Sequence, residues 1–353
     1  MDSGIIKWIA DEEVLQDLFA DLSILVLLLI IVVSVAFLSK GADWMIDGVV
    51  DLAQRTGLPK IVIGATVVSL GTTLPEAFVS VMAAFLGNPG LALGNGVGSI
   101  IADTGLIFGL TCVLVAVPVN RFILNRTGWV QVGSATLLVA IAVIALLGAG
   151  DGQEPTLTRG VGVAFLFLLM GYMYITYRWA KQGEDLGHTE ELVEEEPMKL
   201  SKTWLMIGGG LTLVVAGARV LIPSASEIAV RAGVPEDVIA ATLVAFGTSL
   251  PELMTAIAAI RKGHPEITVG NIVGADVLNV LFVIGAAAVA APLAIPDNFY
   301  FFHFPAMLII LISFRIFISM SKTTFRRWQG AWLLGVYGVY VALQYILNVG
   351  AAH

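Results

Sequence analysis

Ten apolar runs follow one another along the chain, at about 22–39, 58–86, 91–118, 128–149, 158–178, 204–222, 236–260, 267–293, 300–320 and 328–349. Most come close to the roughly 20 residues a helix needs to cross a bilayer, and the polar stretches between them are mostly short. The pattern predicts an all-α membrane protein of about ten transmembrane helices. The first and sixth runs continue past Lys40 and Arg219 to about Arg55 and Arg231, with no Pro–Gly break strong enough to end them. That predicts two long, tilted helices. Before the first run, an acidic amphipathic stretch (Asp11, Glu12, Glu13, Asp17, Asp21) predicts an N-terminal interfacial segment over 1–20, helical from residue 3. It has none of the basic character that opens a cleavable secretory signal.

Composition supports the membrane reading: 58% of the residues are hydrophobic and only 13% charged, against about a quarter charged in soluble domains. A net charge of −8 with no basic stripe excludes a nucleic-acid partner. The single cysteine, Cys112, excludes an intrachain disulfide framework and a Cys-rich metal site. Lys and Arg cluster in alternate loops (Arg55 and Lys60; Arg121 and Arg126; Arg178 to Lys202; Arg261 and Lys262; Lys322, Arg326 and Arg327). By the positive-inside rule those loops are cytoplasmic, which puts both termini outside an inner (plasma) membrane. One extended acidic linker, 181–203, separates five spans in 21–180 from five in 204–353. It reads as a solvated cytoplasmic hinge.

The two halves are copies. A shift of 176 residues aligns 41–109 with 217–285 without a gap, and 25 of the 69 positions are identical. Five spans, an odd number, separate equivalent points, so the second copy enters the membrane upside down. Inverted-topology repeats with broken helices at matching positions are a signature of secondary transporters that bind their cargo near the bilayer midplane.

The polar groups inside the spans repeat with the same shift. The first copy reads Gly71-Thr72-Thr73-Leu74-Pro75-Glu76 and the second Gly247-Thr248-Ser249-Leu250-Pro251-Glu252. A mid-bilayer carboxylate is costly unless paired or metal-bound, so two at symmetric positions point to function. Pro75 and Pro251 lack the N–H that would bond the carbonyls of Gly71 and Gly247, which loosens the turn through the threonines. Carboxylate, hydroxyl and free carbonyl oxygens together suit hard cations such as Ca²⁺ and Na⁺. In the following span Asn95, Ser99 and Asp103 recur every four residues and share a helix face. Asn271, Ala275 and Asn279 are their counterparts, with Asp276 one residue off that face. Gly94, Gly98, Gly270 and Gly274 form G-x-x-x-G pairs for close helix packing.

These paired G-T-[ST]-L-P-E and G-N-x-x-G-[SA] motifs resemble the two alpha repeats of the Ca²⁺:cation antiporter superfamily, in its prokaryotic sodium/calcium exchanger branch. The resemblance implies a Na⁺/Ca²⁺ antiporter with no cofactor. It implies Ca²⁺ held by Glu76 and Glu252 with Thr72 and Thr248, neighbouring groups Thr73 and Ser249, and backbone oxygens of Ala65 and Ala241. It further implies alternating access, with the first and sixth helices sliding across a bundle that holds the site. The chain departs from the family pattern at Ile100, Ala275 and Asp276. The acid common at the place of Asn279 stands instead at its symmetry mate, Asp103.

Three other activities are weighed against this one. A cation/proton exchanger would carry its proton on Glu76, Glu252 or Asp103, and H⁺ would then replace Na⁺ as the coupling ion. A passive channel fits paired midplane carboxylates less well than alternating occupancy. An intramembrane protease is suggested only by Gly148-Ala149-Gly150-Asp151, which has no aspartate partner at a matching place. His188, His264, His303 and His353 are scattered without an H-E-x-x-H, which argues against a zinc enzyme.

Overall fold

The computed structural model describes residues 19–56, 58–85, 87–150, 154–185, 198–232 and 249–346. The expected interfacial helix lies outside the described residues except for its last two, as do most of the acidic linker and Asp151. Helix α1 (Ile24–Thr56) and helix α7 (Leu200–Arg231) are the two long helices expected, of 33 and 32 residues. At 1.5 Å per residue each is about 50 Å long, well beyond a hydrocarbon core of roughly 30 Å, so each must tilt. They cross at glycines: a Cβ on Gly41 would come 2.6 Å from the Gly210 carbonyl, and one on Gly217 3.0 Å from that of Ser34. Gly41 and Gly217 are themselves a symmetry pair.

The second span is broken, as the proline predicts. Helix α2 (Lys60–Thr72) and helix α3 (Leu74–Phe85) meet at Thr73 with a 42° bend. Helix α4 (Pro89–Leu114) follows. In the second copy, helix α8 (Leu250–Arg261) and helix α9 (Pro265–Ala290) correspond to α3 and α4 residue for residue. The turns between these helices match too: Gly87 and Gly263 take φ +79° and +78°, a left-handed conformation that glycine adopts without strain. Each is followed by a proline in the first helical turn.

Helices α5 (Arg121–Gly148), α6 (Arg159–Asp185), α10 (Phe299–Met320) and α11 (Arg327–Ile346) wrap this centre. Seven helices are long and apolar enough to cross a membrane, and the bent α2–α3 pair makes an eighth, counted over the described residues. Helix α11 and helix α8 are two further helices among the described residues, in keeping with about ten expected, and the run expected over 236–248 lies outside the described residues. Outward-facing side chains are large and apolar, as lipid requires, for example Leu25 (80% exposed) and Leu147 (81%). A feature the periodicity does not predict is a two-residue antiparallel pairing of β1 (Thr156–Leu157) with β2 (Leu293–Ala294), which ties the loops after α5 and α9.

The copies interlock. Helix α9 of the second copy lies across α2 of the first: a Cβ on Gly64 would come 2.6 Å from the Ile267 carbonyl, and Gly270 and Gly274 sit against the backbone at Ile61 and Ala65. This is the close approach expected of the second G-x-x-x-G pair. The counterparts of these contacts at Gly94 and Gly98 would fall on 237–241, so that half of the expectation lies outside the described residues.

Candidate cation site

The site forms where the broken helices meet. Thr73 has φ −84°, ψ −6° and Ser249 φ −89°, ψ 8°, so the residue that leads into the glutamate-bearing helix has the same backbone conformation in both copies. A helix starts just beyond each break, and the glutamate sits in its first turn. Helix α4 widens by one residue per turn over Asp103–Phe108, and α9 does so over the matching Asn279–Ile284. Such π-turns free a carbonyl and often mark functional sites. A third, Gly64–Val68, contains Ala65. Nothing in the sequence pattern signals them.

Thr72, Thr73, Glu76, Ser99, Asp103, Ser249, Glu252, Asn271, Asp276 and Asn279 are all buried, none more than 3% exposed. Ala241 and Thr248 lie outside the described residues. Glu252 lies close enough to Glu76 and Asp103 to feel both charges, and Glu76 feels Asp103. Seven oxygens in this cluster have no geometric hydrogen-bond partner among the described residues: Thr73 Oγ1, Glu76 Oε2, Ser99 Oγ, both Asp103 oxygens, Ser249 Oγ and Glu252 Oε2. Asn279 Oδ1 is an eighth. A buried carboxylate without a partner costs several kcal/mol, and three together repel one another. The donor set is therefore that of a cation site with its charge still to be supplied. Among the described residues no three acidic, histidine or cysteine side chains close into a single metal cage. Coordination here rests on hydroxyl, amide and backbone oxygens around the acids, as hard cations accept.

Two amides divide the work. Asn271 Oδ1 accepts from the Thr72 hydroxyl at 3.3 Å, across the copies. Asn95 is half-buried and donates its amide to the Glu76 carbonyl (3.1 Å) and to Ser80 Oγ (2.9 Å), which fixes the first turn of α3. Ala65 contributes its carbonyl to the wall against Gly274. Asp276 points elsewhere: its Oδ2 accepts from Thr104 Oγ1 and from Gln131 Nε2 of α5, both at 2.5 Å. Sequence reasoning missed Ser80, Thr104 and Gln131. Of these only Gln131 carried a signal, as a lone amide within an apolar span.

The chain matches the sequence profile of the family described as "Sodium/calcium exchanger protein" over residues 26–178 and 202–346. It is 31% identical over 325 residues to inner membrane protein YrbG of Escherichia coli K12, covering 90% of this chain and 97% of that one. It is 27% identical over 348 residues to sodium/calcium exchanger MaX1 of Methanosarcina acetivorans, covering 90% and 98%. A solved structure of the sodium-calcium exchanger NCX_Mj superposes with a TM-score of 0.76 at 26% identity, over 91% of this chain and 99% of that one.

Proposed function

The chain belongs to the sodium/calcium exchanger protein family, and from that premise we propose that it is a secondary antiporter that exchanges Na⁺ for Ca²⁺ by alternating access. The observation that carries this reading is the set of buried, unpartnered oxygens on Thr73, Glu76, Ser99, Asp103, Ser249 and Glu252 at two symmetric helix breaks. Ca²⁺ takes six to eight oxygens and needs both glutamates. Sodium ions are satisfied by single carboxylates with the neutral oxygens of Thr72, Thr73, Ser99, Thr248 and Ser249. Asn95 and Asn271 hold the broken turns in place.

With three acids in one low-dielectric pocket, Ca²⁺ and a full complement of Na⁺ cannot be held together without a large excess of positive charge. The two cargoes therefore compete. The glycine-lined α1–α7 pair slides across the bundle only when either cargo has neutralised the carboxylates. The chain sits in an inner membrane with both termini outside and the 181–203 segment in the cytoplasm, an orientation supported by its Lys and Arg distribution.

The experiment is ⁴⁵Ca²⁺ uptake into proteoliposomes under imposed Na⁺, K⁺ or H⁺ gradients. Uptake driven by the Na⁺ gradient supports the proposal; uptake driven only by H⁺ replaces it with cation/proton exchange. Titration calorimetry checks the competition. Ca²⁺ affinity falls as Na⁺ rises at constant ionic strength, with a slope steeper than one. An affinity indifferent to Na⁺ overturns the shared site.

A further inference from the structure

Asp276 has no place in the two-fold symmetry of the site. Its counterpart is Ile100, and the counterpart of its partner Thr104 is Val280, both fully buried in the apolar core. One side of the molecule has thus replaced an apolar contact with a buried carboxylate. That carboxylate receives two neutral donors, Thr104 and Gln131, both on Oδ2. Its other oxygen, Oδ1, has no partner among the described residues, and no Lys, Arg or His there bonds to it.

Three further oxygens converge on this place. Gln131 is 1% exposed and leaves Oε1 unpartnered. Helix α6 packs on α9 with Gly162 against the Gly285 carbonyl and Val289, and Phe165 against Gly285. As residue numbers rise along α6 they fall along α9, so Tyr172, ten residues beyond Gly162, comes level with Asp276. The charge of Asp276 is felt at Tyr172. The Tyr172 and Thr176 hydroxyls, one helical turn apart and buried, have no partner beyond each other among the described residues.

We infer that Asp276, Gln131, Tyr172 and Thr176 form a lateral site for a resident monovalent alkali cation, separate from the exchanging site. One carboxylate with three neutral oxygens matches the charge and coordination of such an ion. A divalent ion needs more oxygens and more charge, and among the described residues no three acid, histidine or cysteine side chains gather here to supply them. Asp103 of the exchanging site acts electrostatically on Asp276. The resident ion thus lowers the negative charge that the cargo must balance. The inference goes beyond the exchange reading and stands if that reading fails.

The test uses the full-length Glu76→Gln/Glu252→Gln double variant, in which the central site has lost two carboxylates. Thermal unfolding is followed in NaCl, KCl and choline chloride at equal ionic strength. The expected result is a midpoint higher by roughly 2–4 °C in NaCl or KCl than in choline. Adding Asp276→Asn removes the difference. Adding Gln131→Leu moves its half-maximal salt concentration up by about tenfold, and keeps the inference testable should the Asp276 variant not fold. No difference between salts overturns the site. So does a difference that survives both added changes, or a midpoint that follows pH alone in choline, which would assign a proton to Asp276.

Discussion

The α1–α7 pair and the α2–α4/α8–α9 bundle use small residues in the same way and expose themselves very differently. In the most apolar stretch of α1, 22% of residues are buried, and in that of α7, 29%; for α4 and α9 the shares are 72% and 83%. In those stretches the pair is mostly lipid-facing, and elsewhere it packs on itself along a glycine seam and on the side chains of α2, α8 and α9. The bundle is enclosed and interleaved, copy against copy, with glycine backbone on backbone at Gly64, Gly270 and Gly274. The pair meets the bundle through a side-chain core that includes Met45, Val49, Ile63, Leu250 and Ala259, which can slide, whereas moving α9 relative to α2 would break backbone-on-backbone contacts at Gly64, Gly270 and Gly274. The carboxylates belong to the enclosed region. A rigid cage with a movable cover is what a two-state exchanger needs, since the site must keep its geometry while its access changes.

The sharpest way to break this contrast is at the cage. Glu76→Gln and Glu252→Gln each leave a divalent ion short of one buried negative charge, a loss of about 3–5 kcal/mol, or roughly two to four orders of magnitude in Ca²⁺ affinity. Both variants are expected to fold, because neither glutamate forms an ion pair among the described residues, and to lose ⁴⁵Ca²⁺ exchange. Near-normal exchange by either variant would remove the central site from this place.

Asp103 comes next. Neither of its oxygens has a geometric hydrogen-bond partner among the described residues and its charge acts on Glu76 and Glu252, while Asp276 is tied to α5. Asp103→Asn is expected to shift the Na⁺ concentration for half-maximal exchange by about tenfold, on the scale of one buried charge. Asp276→Asn is expected to change it less. Equal effects, read from Na⁺ titrations of uptake, would join the two acids into one site.

How much of this was legible beforehand divides along the same line. The 176-residue shift fixes α3, α4, α8 and α9, because glycine and proline at each turn leave the backbone few choices: Gly87 and Gly263, Pro75 and Pro251 do what their chemistry dictates. The every-fourth-residue reading also placed Ser99 and Asp103 correctly on one buried face. It could not see that α4 and α9 each gain an extra residue per turn at Asp103 and Asn279, since a π-turn depends on tertiary packing and leaves no periodic mark. Nor could it aim Asp276, because the group that orients it, Gln131, lies 145 residues away on α5. Long-range pairing decides where a buried polar side chain points; local pattern decides only that it is buried.

Glycine substitutions sharpen the contrast between cover and cage. A Cβ on Gly274 meets Ser69 Oγ at 2.5 Å as well as the Ala65 backbone, and one on Gly41 meets the Gly210 carbonyl at 2.6 Å. Overpacking of this kind costs about 1–3 kcal/mol where neighbours cannot yield. Inside the bundle they cannot, so Gly274→Ala is expected to lower the thermal midpoint by roughly 2–10 °C. At the seam the helices can part slightly into lipid, so Gly41→Ala is expected to lower it by less than half as much and to change the exchange rate instead. Equal losses of stability would show that the seam is as rigid as the core.

The smallest effect is expected at the two ends of the pair, where each long helix clasps the start of the other. Arg231 bonds Glu227 one turn back at 2.6 Å and donates to the carbonyls of Ala20 and Leu22, both at 2.7 Å, just before α1. At the other end the acid does the fastening. Asp51 pairs with Arg55 at 2.7 Å, accepts from the Met198 N–H at 2.6 Å and accepts the Thr203 hydroxyl at the start of α7. The difference follows from what each segment offers: free carbonyls before α1 call for a cation, and free N–H groups at the start of α7 call for an anion. The arginines are about a quarter exposed, so each clasp contributes about 1 kcal/mol once solvent screening is counted. Arg231→Ala and Asp51→Ala should each lower the thermal midpoint by roughly 2–4 °C and slow Na⁺-driven Ca²⁺ uptake by no more than about fivefold. The two sites lie at opposite ends of the pair, so the double variant should show the sum of the single losses. A double loss well above that sum would mean that the pair is held as one body mainly by its clasps, and that the glycine seam contributes little to keeping α1 and α7 together as they move.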